Sequence, residues 1–490
     1  MRNSVRAGWI SVLVGLAAHA APAWADTVVA RWIQLGPGAQ GASPLSATPT
    51  IWARAVTTDG SCPALAIDGV PAATPMAVRF SNTPGFPVTE CEAVVPAGHA
   101  TATLGGVSLK LPVANPRRIL VIADTGCRMN GTSQQNCNDP SAFPLQFLAN
   151  YEALFNPDLI VHVGDYFYRD TDCQGAYPGC NDPASPNYEP YGDNWASWNG
   201  DLLTPAKTLL AAAPWVMTRG NHESCGRGAH GWYSLLDPHP YNANAVNCTA
   251  GSFTNGSATS YPAGTDPHGY DFEPTYVVPA GAVSLLIHDS SYANDSTVDA
   301  VTASRYAADL SAVLAAVGPN STNIFTTHKP TYGLVSGAPT NGGDFTEQYL
   351  FNGLLNGASG VPYDIGMFLS GHIHQFEYVN FSDYTRFAPQ LIVGVGGTLL
   401  DTPTAAPALI DAYQNQAFTV HNTPTTTSVT SANVTNAYSQ AEFGFAVLDA
   451  TPTGYVANVY NIGAVRAGRC TIVLGPNFAS GTQRSITCWQ

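Results

Sequence analysis

Charge is what this sequence has least of. Only 11% of its 490 residues are Asp, Glu, Lys or Arg, and 19 Lys or Arg stand against 34 Asp or Glu. A chain so short of cations has little with which to neutralise a phosphate backbone, so no nucleic-acid partner is expected. Long apolar runs are missing too. Beyond the first two dozen residues no stretch approaches the roughly 20 apolar residues that a membrane helix needs, so no membrane span is expected. No Gly-x-Ser-x-Gly elbow occurs, which argues against a serine hydrolase of that type. No Cys-x-x-Cys pair occurs either, and a zinc ribbon is set aside with it. No internal repeat is visible.

What the chain does have is apolar mass and punctuation. Hydrophobic residues make up 45% of it, enough for a large core, and 46 Gly with 37 Pro break it into many loops. Arg2 and Arg6 precede the apolar run 8–18, and Ala23-Trp24-Ala25 places small residues where a signal peptidase reads. Residues 1–25 are therefore read as a signal peptide cut after Ala25, and the protein as secreted or periplasmic. All ten cysteines lie beyond that point in close couples: Cys62 with Cys91, Cys127 with Cys137, Cys173 with Cys180, Cys225 with Cys248, and Cys470 with Cys488. An even count in an exported chain favours disulfides, and proximity suggests these five pairs.

Two regions follow. Over 26–115, short β-prone runs such as 27–35, 50–55 and 76–80 alternate with Gly and Pro clusters, which predicts a small N-terminal β-sandwich domain. From Arg117 the grammar changes to continuous apolar runs at 119–123, 159–163, 215–218, 283–287, 324–327 and 365–369, the mark of strands buried on both faces. Helices are predicted between them at 143–155, 205–213, 303–317 with a Thr302 cap, and 345–355. The Thr-, Ser- and Asn-rich stretch 419–439 reads as a loop or irregular edge, and 443–449 with 455–460 as strands closing the sheet. Residues 116–490 are thus expected to form one α/β domain.

The polar residues cluster at the ends of these runs. Asp124 closes one, Asp165 the next, Asn221 and His222 the third, His328 another, and His372 with His374 the last. In open α/β sheets the carboxyl ends of strands share an edge, so five distant stretches can meet there. Carboxylates, an amide, imidazoles and a nearby phenol are the hard and borderline ligands of iron, zinc or manganese. Two such ions about 3.5–4 Å apart can activate a shared water for attack on a phosphoryl group.

Asp124-Thr125-Gly126, Gly164-Asp165-Tyr166-Phe167-Tyr168, Gly220-Asn221-His222-Glu223, His328 and Gly371-His372-Ile373-His374 resemble, in order, the motifs of purple acid phosphatases. These form a branch of the calcineurin-like metallophosphoesterase superfamily. Gly126 stands where the wider superfamily has a histidine, and a tyrosine follows Asp165 by three, an exchange that marks the purple branch. The resemblance implies a four-layer αββα metallophosphoesterase sandwich behind the N-terminal β-sandwich domain. It implies hydrolysis of small-molecule phosphate monoesters by a metal-bound hydroxide, with activity favoured at acidic to neutral pH. Carried over by position, Asp124, Asp165, Tyr168 and His374 would hold Fe(III), and Asp165, Asn221, His328 and His372 a second Fe(II), Zn(II) or Mn(II). His222 would contact the substrate phosphate or protonate the leaving group, and Glu223 would steady its loop.

Two other readings compete: a phosphodiesterase using the same two metals, and a non-catalytic surface or binding protein stabilised by metal. Tyr166 is the alternative phenol to Tyr168. His162, His230, His239 and His288 are left outside the metal set, with His230 and His239 kept as candidate substrate-loop residues. Many purple acid phosphatases carry further histidines after the position of His328, whereas 329–371 holds none. Substrate contacts must therefore differ, and Lys329, Tyr332 and the insertion between Asp170 and Trp198 are the candidates for them.

Overall fold

Ile119 and Val121 pack into one apolar cluster while Leu120 and Ile122 pack into another, so their strand has no polar face. The first cluster also holds Leu285, Ile287, Ile324, Met367 and Leu369, from strands of a second sheet. Two sheets therefore press face to face, each covered on its far side by helices. Leu148, Ala149, Leu209 and Leu210 cover the first. Tyr306, Leu310 and Val313 cover the second. This is the expected four-layer αββα arrangement, with the main core between the sheets.

The computed structural model describes residues 27–490 apart from 39–47, 73–74, 242–271, 318–320, 334–342, 356–364, 385, 402–417, 421–422, 424–429, 433, 464, 475–483 and 490. The signal-peptide reading of residues 1–25 lies outside the described residues.

In the eleven-stranded sheet, Arg118–Ile122, Leu159–His162 and Trp215–Met217 run parallel at the centre. On one side the closing strands Gly444–Thr451 and Gly454–Asn461 continue it, as expected of the tail. The seven-stranded sheet places Val283–His288, Asn323–Thr327, Ile365–Ser370 and Gln390–Val393 in parallel. Val434–Gln440, inside the stretch read as a loop or irregular edge, forms its edge strand.

The N-terminal region is rich in strands, as expected, yet four of its strands do not stand apart from the catalytic sheet. Val28–Gly36 pairs in parallel with Trp215–Met217 through Gln34 and Trp215, and Thr50–Thr57, Thr89–Val94 and Ala77–Phe80 extend the sheet outward. Leu65–Ile67, Val70–Pro71, Thr101–Leu104 and Val107–Lys110 form a separate four-stranded sheet.

The helices differ from expectation at their ends. The third begins at Ala300, because Asp299 rather than Thr302 caps it, its carboxylate accepting from the backbone N–H of Val301 and Thr302. The second shrinks to Lys207–Leu210 between Pro205 and Pro214. The fourth is α-helical only over Phe345–Tyr349 before widening into π-type turns. Four of the expected disulfides are formed, joining Cys62–Cys91, Cys127–Cys137, Cys173–Cys180 and Cys470–Cys488. Cys225 is also disulfide-bonded; Cys248, its expected partner, lies outside the described residues.

Candidate metal centre

Each central strand ends where the chain must turn away from the sheet, and the turns carry the polar groups. Three of the five non-glycine residues with positive φ among the described residues are Asp124 (55°), Asp165 (58°) and His372 (70°). Backbone strain of this kind costs on the order of 1–3 kcal/mol per residue and persists where surrounding contacts enforce it. Glycine clears the space: a Cβ at Gly371 would sit 2.5 Å from Asp124 Oδ2, and one at Gly126 would sit 2.7 Å from the Tyr166 carbonyl oxygen. The second clash gives a local reason for glycine at position 126.

The eight residues singled out from the sequence all come to one place. The Tyr168 hydroxyl lies 2.7 Å from Asp124 Oδ1, 2.8 Å from Asp165 Oδ2 and 2.8 Å from His374 Nε2. On the other side of Asp165, His328 Nε2 lies 3.1 Å from Oδ2 and 3.1 Å from Asn221 Oδ1. His372 joins this second group: ligand-capable atoms of Asp165, His328 and His372 all lie within 4.8 Å of one another. Asp165 is the carboxylate common to both groups. His222 packs at a tilt against the Tyr168 ring, centroids 3.9 Å apart, and its backbone N–H donates to Asp165 Oδ1.

These donors fit a pair of cations. Two buried carboxylates face a phenol and imidazoles instead of arginine or lysine, so negative charge is gathered with no fixed counter-charge between the groups. Burial, then Asp124 and Asp165, push the Tyr168 phenol well above its usual range, which keeps it protonated and donating to the carboxylates; a strong Lewis acid bound there would be needed to displace that proton. Against the burial that would lower it, the charge and hydrogen bond of Asp165, with Asp124 and the Val163 carbonyl, together push His328 up to about 9. Burial, reinforced by Arg227, holds His222 well below the ordinary imidazole range.

A family model for calcineurin-like phosphoesterases matches residues 117–376, over half of the chain. The chain belongs to that family. Among solved structures, a purple acid phosphatase isolated from yellow lupin (Lupinus luteus) seeds aligns at 13% identity and TM-score 0.48, over 89% of this chain and 72% of that one. A structure of PhoD aligns at 13% identity and TM-score 0.49, over 96% and 92%. A dimetal phosphatase from Danio rerio aligns at 12% identity and TM-score 0.36, over 74% and 100%. No curated protein matches the chain.

In this calcineurin-like phosphoesterase the remaining candidates point elsewhere. The Tyr166 hydroxyl donates to the carbonyls of His162 and Thr218, away from the carboxylates. His162 bonds Thr125 Oγ1 and stacks on Tyr166; His288 bonds Thr275 Oγ1; His230 stacks on Phe86. His239 lies with Asp237 and Glu273 in a second acidic group, where Arg79 Nη2, 3.7 Å from Asp237 Oδ2, already supplies positive charge. Lys329 and Tyr332, considered for substrate contact, are both buried. Lys329 Nζ pairs with Asp295 at 3.4 Å, and the Tyr332 ring packs on Phe368 and Phe381.

Sequence reasoning missed a supporting layer. Asp201 accepts from the backbone N–H of Tyr168 and Cys127 and from Arg169 Nε. Arg169 also pairs with Glu189 at 2.8 Å, which ties the insertion after Asp170 to the metal loop. Asp295 lies 3.3 Å from His372 Nε2, and Asp401 accepts from the His374 N–H. None of these acids belongs to a motif. Asp170, two residues past Tyr168, was the one neighbour whose position in the chain could have drawn notice.

Proposed function

We propose that this phosphoesterase hydrolyses phosphate monoesters at a binuclear centre of the purple acid phosphatase type. Asp124, Asp165, Tyr168 and His374 hold one ion, Fe(III); Asp165, Asn221, His328 and His372 hold the other, Fe(II), Zn(II) or Mn(II). The observation that carries this reading is the Tyr168 hydroxyl, within 2.8 Å of two carboxylates and an imidazole. A phenolate is the ligand that distinguishes a ferric site from an ordinary dizinc one.

Two bound metal ions would supply charge neutralisation and a water acidified to near neutral pH. The protein's part is positioning. Asp124 and Asp165 are held by backbone turns, and His328 Nδ1 is tied to the Val163 carbonyl, which leaves Nε2 facing Asp165. His222 lies beside Tyr168 with Nε2 3.9 Å from Asp165 Oδ2 and 2.6 Å from Arg227 Nη2, where it would contact the substrate phosphate, or protonate the leaving alkoxide once substrate draws Arg227 off that nitrogen. Export after cleavage at Ala25 belongs to the same proposal, as does a boundary near residue 115 between two regions that share one sheet and fold together, and the four described disulfides support export.

The test is metal analysis with a visible spectrum on purified protein. Iron with a phenolate charge-transfer band that disappears in Tyr168→Phe is expected. A colourless protein fully loaded with two zinc ions would remove the purple assignment. Turnover of an aryl phosphate well above that of the bis-aryl diester is expected, and the reverse order would favour a phosphodiesterase. A His222→Ala protein with undiminished turnover would overturn the acid assignment.

A further inference from the structure

The first helix, Leu145–Ala153, buries Leu145, Leu148 and Ala149 and turns a flank of Gln146, Phe147 and Asn150 to solvent. That flank carries no charge. Gln146 and Asn150 are four residues apart, so their amides are neighbours on one face, and Phe147 beside them is 51% exposed. A cavity of about 510 Å³ opens between this flank, the loop 137–143 and the π-type turn Asn199–Leu203. Its volume lies within the roughly 300–1,000 Å³ of ligand pockets. Asn138, Phe143 and Thr204 complete the walls, and none of the residues lining it is charged.

The polar groups of the lining are set for a neutral partner. Asn138 Nδ2 donates to Glu189 Oε1 at 2.7 Å, which leaves its Oδ1 as an acceptor. Thr204 Oγ1 donates to Asn199 Oδ1 at 2.9 Å and keeps its lone pairs. The Gln146 and Asn150 amides meet no partner among the described residues, so each offers both donors and an acceptor. Cys137, bridged to Cys127, anchors the loop that carries Asn138, which lowers the cost of ordering that wall. No residue of the metal centre lines the cavity. Beyond Gly200 lies Arg169, its Nη2 3.3 Å from where a Cβ would sit, and Arg169 bonds Asp201, which accepts from the Tyr168 N–H.

We propose that this cavity binds an uncharged oligosaccharide, at a site separate from the metal centre. The lining selects that class by what it would do to the others. A phosphate or carboxylate would lose water and find no counter-charge. A wholly apolar ligand would cover the Gln146 and Asn150 amides and leave them unpaired. Sugar hydroxyls donate and accept, as the amides do, and satisfy Asn138 Oδ1 and Thr204 Oγ1 as donors. The C–H face of a sugar ring is apolar and flat, and the half-exposed Phe147 ring is the surface it would cover.

The full chain is titrated by calorimetry with cellotriose, maltotriose and chitotriose, and separately with trigalacturonate and a blocked hexaproline peptide. At least one neutral trisaccharide should bind with a Kd of about 1 mM or below, and trigalacturonate about tenfold more weakly or not at all. Phe147→Ala, a change at an exposed position, should weaken the sugar about tenfold, while Phe147→Tyr keeps it. Asn150→Ala should weaken it as well. Turnover of an aryl phosphate should be the same in all three variants. No binding of any neutral sugar, undiminished binding in Phe147→Ala, or binding of the peptide in their place would overturn the site. Turnover lost with Phe147→Ala would overturn its separation from the metal centre. Binding is read without turnover, so a failure of the phosphoesterase reading leaves this test intact.

Discussion

Glu223 holds Asp165 by its backbone: Glu223 Oε2 accepts the Asp165 N–H at 3.0 Å. The same carboxylate accepts from Gly220, Tyr166 and Phe167, so one side chain fixes both the turn carrying Asp165 and the turn carrying Asn221 and His222. All four partners are donors. A Gln amide would turn an N–H toward N–H groups, so Glu223→Gln should lower metal affinity about 10- to 100-fold, as loss of a ligand-orienting partner typically does. Metal titration by calorimetry checks this, and unchanged affinity would reduce Glu223 to a passive packing residue.

Asp295 and His372 should show the same logic on the other side. Asp295 Oδ2 lies 3.3 Å from His372 Nε2 and is braced by Lys329. Against the burial that would raise it, Lys329 and then His372 hold the Asp295 carboxyl far below its usual range, so it is an anion at any working pH. An anion at Nε2 leaves Nδ1 as the ligand atom of His372. Asp295→Asn should therefore weaken the divalent ion about tenfold while the ion beside Tyr168 stays bound. Metal content after dialysis against a weak chelator separates the outcomes; equal loss of both ions would contradict this division.

The convergence of Asp124, Asp165, Asn221, His328, His372 and His374 was legible because each follows an apolar run, and strand ends meet by topology. Tyr168 could be told from Tyr166 only by resemblance, since alternation along an irregular loop does not say which ring turns inward. The supporting acids were invisible for a plainer reason. Asp295 and His372 are 77 residues apart, and Asp201 is 33 from Tyr168, with no periodicity linking them. The N-terminal strands were recognisable as strands, but their union with the catalytic sheet depends on Gln34 pairing with Trp215, a relation no local pattern encodes.

That union makes the N-terminal region a poor candidate for removal. Arg54, fully buried on Thr50–Thr57, donates to Gln34 Oε1 and to the Asp237 carbonyl and pairs with Glu92 at 3.2 Å. Arg79 Nη1 donates to the His239 carbonyl and Nη2 to that of Tyr233. Arg54→Met leaves Gln34 Oε1, the Asp237 carbonyl and the buried Glu90, 3.8 Å from Arg54 Nε, without their guanidinium, although Glu92 keeps Arg79 at 3.0 Å, and should destabilise the protein by about 3–5 kcal/mol. A chain restricted to 116–490 should aggregate, because it bares the edge of the Trp215–Met217 strand. A soluble, cooperatively melting 116–490 fragment would show instead that the two regions fold independently.

Glu152 offers a cleaner reading of pH. It is fully buried on the first helix, Leu145–Ala153, its Oε2 has no partner among the described residues, and burial alone pushes its carboxyl up from 4.5 to about 8. The folded chain thus keeps a proton that the unfolded chain releases. Below pH 4.5 both states are protonated and nothing is lost. Between pH 4.5 and about 8 stability falls steadily, and above that the loss levels off. Glu152→Gln removes the titration, so it should stabilise the protein at neutral pH by up to about 3 kcal/mol and flatten the decline. Denaturant melts of both proteins at pH values spanning this range decide it. Parallel curves would mean that Glu152 is ionised in the folded state and that an unseen partner holds its charge.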